Sequence, residues 1–399
     1  MALGGALRDA DWLDARRVRA YAAMVGVASL GILWFAWRDA TGATGSDFLA
    51  FWGAAKSVMA GDPAAAYDLA VQERIQTGTG SHGWFAFVNP PPFLLAVAPF
   101  GWLPYPSGWI AWVALTYALW AWAGVRAFPR LWPLVLTYPG ALIAATHGQN
   151  GLLTGALLIA AISLLARSCP LLSGAAIGAL VIKPHLALLL PFWLLGGRCW
   201  RTILAAGAAL VALLLASLLA FGTATMQAYT TSWGASAVLI AQGGPDFFLR
   251  MSTYYSQLRV HFGEPVAIGG GAVIALGMIG MALQLFRRFG GDARASGAAV
   301  LAATALAPPY LFNYDLPFLI FPTLWLVEQG LARGFRPYEK LLLVALWFAP
   351  YATRAAAFGI GANLMPLAAF LLLALIWTRA PLPFGNSSRS VPTDCREPG

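Results

Sequence analysis

Apolar runs of about 20 residues recur along most of the chain, and short clusters of arginine and lysine separate them. Hydrophobic residues make up 59% of the sequence and charged residues only 10%, a composition that excludes an ordinary soluble protein. We therefore predict one all-α polytopic membrane domain over residues 1–399. The apolar length leaves room for roughly ten to thirteen transmembrane helices.

The charge distribution predicts a topology. Basic residues cluster before the first apolar run and again in several later turns, which agrees with about twelve spans under the positive-inside rule. Residues 1–20 and the polar tail 379–399 are then cytoplasmic. Residues 38–89 and 222–265 form two large outer loops with amphipathic segments. Because topology explains the net charge of +9, we predict membrane lipids and no nucleic acid as partners.

Common cofactor and metal signatures are absent. Cys169, Cys199 and Cys395 are scattered, so they predict neither a disulfide framework nor a zinc site. The sequence holds no P-loop, dinucleotide-binding glycine fingerprint, HExxH motif or nucleophile elbow. Acidic residues in 38–89 form no compelling ligand cluster for a divalent ion. We predict no cofactor and no metal site, although Asp47, Asp62 and Asp68 are acidic enough to hold a divalent ion loosely, so metal dependence is left open.

Asp47 begins an aromatic-rich segment directly after the first apolar run. Phe48, Phe51 and Trp52 would shield its carboxylate from bulk water while substrate still reached it, as a base for lipid-linked chemistry requires. The alternative is an ordinary interfacial helix, capped by Ser46 or Asp47 and anchored by the rings.

Lys183-Pro184-His185 lies in the middle of the apolar run 171–194. An ionisable pair at that depth costs several kcal/mol unless it faces protein or a cavity. The segment is either a cationic site for a phosphate or a lysine that snorkels from a shorter helix.

Two polar turns also leave alternatives open. The segment 147–150 separates two short apolar runs, and it is either a simple turn or a break that contacts substrate. Asp315 ends a second polar turn, where it either caps the following helix or presents a carboxylate. In the second loop, Arg250 lies four residues after Asp246 and either pairs with it or clamps a phosphate.

The order and spacing of these residues resemble glycosyltransferase family 87 over about residues 30 to 330. The residues that carry the resemblance are Asp47-Phe48, Phe51-Trp52, Ala54-Ala55, Gly61, Tyr67-Asp68, Asn89-Pro90-Pro91, Gly148-Gln149, Lys183-Pro184 and Tyr314-Asp315.

The resemblance implies a bundle of the GT-C architecture. It also implies an inverting hexosyltransferase-type enzyme that takes its sugar from a polyprenyl phosphate, as the family's mannosyltransferases do, in cell-envelope glycan synthesis. The acceptor would be a lipid or glycan at the outer face of the cytoplasmic membrane. Asp47 is at the position of the family's base.

Further roles follow from that chemistry. A phosphate leaving group needs positive charge rather than protonation. The residues predicted to bind the donor phosphate or lipid are Lys183, His185, Gln149, Arg250 and Arg259. The residues predicted to bind substrate are Trp52, Asn89, His147, Asn313, Tyr314 and Asp315.

One departure concerns the sugar. Mannosyltransferases of the family tend to carry histidine at the turn corresponding to 310–315, where this chain has Asn313-Tyr314-Asp315. The sugar is thus mannose or another hexose or pentose, and His261 is a candidate for the missing histidine.

A transporter or flippase for a lipid-linked sugar is the alternative function, since broken helices and a lysine at mid-depth would also line a translocation path. The two large outer regions favour the enzyme, and we find no convincing similarity between the halves that would indicate inverted repeats.

Overall fold

The computed structural model of the protein describes residues 2–241 and 243–379. Within these residues all regular elements are helices, and the only β pairing is an isolated bridge between Met251 and Phe312. Except for Arg379, the predicted tail 379–399 lies outside the described residues, as does Cys395.

The α-helices, in chain order, are α1 Ala2–Asp9, α2 Ala15–Ala40, α3 Phe48–Met59, α4 Leu69–Thr77, α5 Pro92–Val97, α6 Tyr105–Ala127, α7 Trp132–Leu136, α8 Pro139–His147, α9 Gly151–Leu165, α10 Pro170–Gly178, α11 Leu190–Gly196, α12 Trp200–Ala241, α13 Pro245–Leu249, α14 Tyr254–Phe262, α15 Glu264–Ala282, α16 Leu285–Arg288, α17 Ala293–Thr304, α18 Ile320–Arg333, α19 Glu339–Ile360 and α20 Met365–Arg379. Short 3₁₀ helices span Pro63–Tyr67, Ala98–Trp102, Pro129–Leu131, Ala179–Ile182, Pro184–Ala187, Asn313–Asp315 and Pro317–Leu319.

Five of the described helices are long and apolar enough to cross a membrane: Ala15–Ala40, Tyr105–Ala127, Trp200–Gly234, Glu264–Ala282 and Glu339–Ile360. Other apolar helices, among them α9 and α20, are shorter. The all-helical membrane architecture is thus established, whereas a count of about twelve transmembrane helices stays a prediction.

The apolar run 171–194 is not one span. It forms two short helical segments, here called legs, Pro170–Ile182 and Pro184–Gly196. They meet at Lys183, whose backbone dihedrals (φ −152°, ψ 70°) are not helical. The first leg packs along the start of α12, since methyl groups added to Gly174 and Gly178 would touch α12. The second leg returns to Gly196, which lies against Leu283. The break follows from Pro184, because a proline disfavours the helical conformation of the residue before it.

The two regions predicted as outer loops are largely helical. Helix α12 continues through a kink at Gly222 as far as Ala241, and α13 and α14 follow. The region 38–89 contains α3 and α4. The regions touch where the rings of Tyr67 and Tyr229 lie 5.5 Å apart.

Arginine-rich helix termini meet at one end of the bundle, here called the basic end. Arg167 donates to the Arg126 carbonyl, Arg294 to the Ala127 carbonyl at 2.9 Å, and Arg288 to the Trp377 carbonyl at 3.1 Å. Lys340 joins the N-terminal segment to this end through Asp11, at 3.3 Å. The segments around Asp47, Lys183 and Asp315 lie at the other end of these helices, here called the Asp47 end.

An aromatic cluster fixes α3 at the Asp47 end. Phe48 and Phe51 are buried, and both pack against Trp112 of α6, with ring centroids 6.0 and 5.8 Å away. Trp52 is also buried, and its Nε1 donates to the Leu103 carbonyl at 2.9 Å. The predicted surface anchors are therefore core residues that hold the start of α3 in place.

Candidate functional site

Asp47 occupies the position before α3, but its side chain caps no helix. Instead its Oδ2 accepts a hydrogen bond of 3.0 Å from Nε2 of Gln149, 102 positions later in the chain. Within the described residues Oδ1 has no hydrogen-bond donor. The capping alternative therefore fails for Asp47, whose carboxylate is half-buried with one oxygen held and the other unengaged.

Electrostatics favour a proton-accepting Asp47. This residue lies outside the five long apolar helices. Burial raises the pKa of its carboxyl above the ordinary value, against smaller opposing effects of His147, the Gln149 hydrogen bond and Lys183. A carboxylate that holds a proton more tightly is a stronger base.

Lys183 lies at the apex of the two legs and is paired with Asp315. Its Nζ donates to Asp315 Oδ1 and, at 2.9 Å, to Asn150 Oδ1. The side chains of Lys183 and Asp315 are 10% and 0% exposed, so Lys183 does not snorkel to water. Asp315 Oδ2 accepts from the Phe312 amide at 3.0 Å, so Asp315 closes its own turn and caps no following helix.

Tyr314 and His147 fill the space beside this ion pair. Lys183 Nζ lies 5.5 Å from the centroid of the Tyr314 ring. The ring centroids of His147 and Tyr314 lie 5.6 Å apart. His147 Nδ1 lies 2.9 Å from the Ile143 carbonyl oxygen. His147 interacts electrostatically with Asp47, whereas His261 is exposed and lies against Phe262. His147, rather than His261, is the histidine beside Asp47.

Two predicted substrate residues make protein contacts that shape the site. Asn89 is buried, and its Nδ2 donates to the Ile182 carbonyl at 3.3 Å, next to the Lys183 apex. Asn313 Nδ2 donates to the Pro350 carbonyl at 2.7 Å and to Thr353 Oγ1 at 3.0 Å. Asn313 thus fastens the 313–315 turn to α19.

The remaining predicted phosphate ligands are His185, Arg250 and Arg259, and no contact joins Arg259 to this centre among the described residues. His185 packs edge-on against Tyr310, with ring centroids 6.0 Å apart, and its buried Nε2 has no partner among the described residues. Arg259 pairs with Glu264 at 2.9 Å. Arg250 forms no ion pair with Asp246 in the described chain, and it interacts electrostatically with Tyr314.

Sequence reasoning missed Arg354. It lies on α19, one residue after Thr353, and interacts electrostatically with Arg250 and Tyr314. The available signal was an arginine inside an apolar run, since an ionisable residue in a transmembrane segment is a functional candidate by default.

Comparison with known families assigns the chain to one of them. The family model described as glycosyltransferase family 87 matches residues 87–311, more than half of the chain. The chain belongs to glycosyltransferase family 87. No curated protein and no solved structure matches it. Family membership and the apolar helices together make the protein a membrane glycosyltransferase.

The family 87 match does not reach all of the site. Asp47 precedes the matched segment and Asp315 follows it. The structure connects both to residues within the segment, because Asp47 binds Gln149 and Asp315 binds Lys183. Five sequence-predicted residues therefore converge around Asp47 and Lys183, namely Gln149, His147, Asn89, Tyr314 and Asp315. Their roles in binding and catalysis stay predictions.

In the described part of the chain, no group of three or more His, Cys, Asp or Glu side chains could hold a metal ion. Whether transfer depends on a divalent metal stays open to experiment.

Proposed function

We propose that this family 87 member transfers a sugar, with inversion, from a polyprenyl phosphate to a lipid or glycan acceptor. In this proposal the basic end faces the cytoplasm and the Asp47 end faces the outer side of the cytoplasmic membrane, as the positive-inside rule favours. The sugar is mannose or another hexose or pentose.

The observation that carries the proposal is the state of the Asp47 carboxylate. Gln149 fixes Oδ2, and Oδ1 has no donor among the described residues. A general base needs such an arrangement, because a fixed carboxylate with a vacant oxygen can meet a hydroxyl group at hydrogen-bond distance.

The proposed reaction is a single displacement at the anomeric carbon. The acceptor hydroxyl oxygen attacks this carbon as its proton passes to Asp47. The bond from the anomeric carbon to the phosphate oxygen breaks, and its electron pair leaves with the polyprenyl phosphate. The sugar passes through an oxocarbenium-like state, and attack opposite the leaving group inverts the configuration.

In this proposal Lys183 stabilises the leaving phosphate. A lysine ammonium has three N–H donors, and Asn150 and Asp315 take two of them. The third remains for a phosphate oxygen. Charge-assisted hydrogen bonds of this kind strengthen as the phosphate gains charge in the transition state.

The test is transfer of radiolabelled sugar by purified protein from a panel of polyprenyl-phosphate sugars to a membrane lipid extract. The proposal expects a labelled product from at least one donor. A parallel assay in sealed vesicles measures movement of the same donors across the bilayer. Movement of a donor without any transfer would reject the enzyme and favour the flippase.

The pH dependence of transfer tests the state of Asp47. Only the deprotonated carboxylate is a base, so kcat/KM should fall as pH drops through its raised pKa, above the ordinary aspartate value of about 3.9. Gln149→Leu removes a hydrogen bond to the charged form, which raises the pKa further and should move the acid limb to higher pH. Gln227→Leu, at an exposed glutamine of α12, is the control that should leave the profile in place. If the acid limb of the kcat/KM profile does not move in Gln149→Leu, the hydrogen bond from Gln149 does not control the pKa of Asp47.

Gly148 offers a second test, because it positions Gln149. Its φ of +62° strains any other residue by roughly 1–2 kcal/mol. A methyl group there would also lie 2.7 Å from Phe48 Cβ and 3.0 Å from Trp109 Nε1. Gly148→Ala should therefore lower both the melting temperature and the transfer rate per folded molecule.

Gly361→Ala is the matched control for Gly148→Ala. Gly361 has a similar φ of +69°, but nothing lies within 4 Å of an added methyl group. It should lower the melting temperature and leave transfer per folded molecule unchanged. Equal transfer by both variants would show that the contact between Gly148 and Phe48 does not position Gln149.

A further inference from the structure

Two arginines from different elements lie close to one aromatic ring at the Asp47 end. Arg250 follows α13 and Arg354 lies on α19. Their guanidinium carbons lie 6.0 and 5.0 Å from the centroid of the Phe358 ring. Both arginines interact electrostatically with Tyr314, and the ammonium group of Lys183 lies over the Tyr314 ring. The pair therefore adjoins the proposed catalytic centre.

This pair lacks the anionic partner that other arginines of the protein have. Arg259 contacts Glu264 at 2.9 Å, Arg294 contacts Glu328 at 2.7 Å, and Arg379 contacts Glu339. Neither Arg250 nor Arg354 forms an ion pair or a hydrogen bond to any other described side chain. Two like charges near each other without a counter-ion repel, and an anion between them would remove the repulsion.

The position of the pair on α19 indicates what carries the anion. Helix α19 is one of the five long apolar helices, and Arg354 and Phe358 lie in its last two turns before it ends at Ile360. Phe358 is 44% exposed and Ile360 is 54% exposed. An anionic group bound there would meet apolar surface beside it, which suits a lipid headgroup at the membrane boundary.

We propose that Arg250 and Arg354 together bind the phosphate of a lipid substrate next to Tyr314. Guanidinium groups suit this role because their planar array of donors matches phosphate oxygens. The inference deepens the proposed function, on which it rests, by adding Arg354 to the residues that bind a lipid phosphate. The phosphate belongs either to the polyprenyl donor or to a phospholipid-type acceptor.

Native mass spectrometry of the full chain in a neutral detergent tests this without any sugar transfer. The probes are undecaprenyl phosphate, undecaprenol without phosphate, and phosphatidylglycerol. The variants are R354Q and R250Q, with R333Q, at an exposed arginine of the basic end, as the control. R354K keeps the positive charge but lacks the planar guanidinium group with its several N–H donors. It serves as a second variant if R354Q does not fold.

Both glutamine variants should weaken binding of one phosphate lipid by about tenfold to a hundredfold, as expected for a lost hydrogen bond to a charged group. R354K should fall between wild type and R354Q, and R333Q should bind as wild type. Loss for undecaprenyl phosphate identifies the donor, and loss for phosphatidylglycerol identifies a phospholipid.

Unchanged binding of both phosphate lipids in R354Q and R250Q would overturn the site. The site would also be overturned if these variants weakened undecaprenol and undecaprenyl phosphate equally and left phosphatidylglycerol binding unchanged. Because the assay measures binding alone, its failure is distinct from a failure of sugar transfer.

Discussion

Replacement of Asp47 by asparagine is expected to lower the rate of sugar transfer by about a hundredfold to ten-thousandfold, the usual contribution of a general base. Asparagine has the shape of aspartate but cannot take the acceptor proton at neutral pH. Its side-chain oxygen can still accept from Gln149, and the aromatic contacts of Phe48 and Phe51 do not involve Asp47. Folding and donor binding should therefore stay close to wild type.

The measurement is the initial rate of transfer at saturating donor, with donor affinity and melting temperature recorded for the same preparations. Asp68→Asn is the matched control in the same segment. Asp68 caps α4 by accepting from the Ala70 and Val71 amides at 2.9 and 3.1 Å, and asparagine caps helices equally well. If Asp47→Asn transfers sugar as fast as Asp68→Asn, Asp47 is not the base.

The sequence predicts the components of this site better than their partners. Each polar residue in an apolar run is visible without a structure, because membrane burial of an unpaired ionisable group is costly. Partner choice is different. Asp47 and Gln149 are 102 positions apart, and Lys183 and Asp315 are 132 apart. No local pattern relates residues at such separations, so the sequence alone leaves the helix-cap alternative for Asp315 open.

The membrane architecture shows the same contrast between features that depend on local sequence and features that depend on distant contacts. Composition predicts the all-helical bundle and the long apolar helices, because both depend on local hydrophobicity. The division of 171–194 into two legs depends on Pro184 together with contacts from Asn150 and Asp315. Arg354 was missed because its proposed role depends on Arg250, which follows α13 and which the fold brings close to α19.

The buried ion pair between Lys183 and Asp315 gives the largest predicted effect on stability. Asp315→Ala would leave the ammonium group of Lys183 buried with Asn150 as its only hydrogen-bond partner among the described residues. Removal of one partner of a buried pair typically costs about 3–5 kcal/mol. We expect a loss of that size in equilibrium unfolding in mixed micelles. Transfer per folded molecule should also fall, because Lys183 would no longer be held near Asp47.

The double variant Lys183→Met/Asp315→Leu separates these two effects. An apolar pair of similar volume is often as stable as the ion pair that it replaces, so most of the lost stability should return. Transfer should not return, because the double variant lacks the ammonium group that stabilises the leaving phosphate. Recovery of transfer together with stability would show that the pair only holds the fold.

A second buried ion pair, between Arg379 and Glu339 at the basic end, supplies the control. Its side chains are 6% and 2% exposed, and Glu339 also accepts from the Arg336 amide at 2.7 Å. Glu339→Ala should therefore cost about as much stability as Asp315→Ala, again about 3–5 kcal/mol. Because this pair is at the opposite end from Asp47, its loss should leave transfer per folded molecule unchanged. Equal losses of transfer in both variants would mean that the Lys183–Asp315 pair acts through global stability rather than at the reacting phosphate.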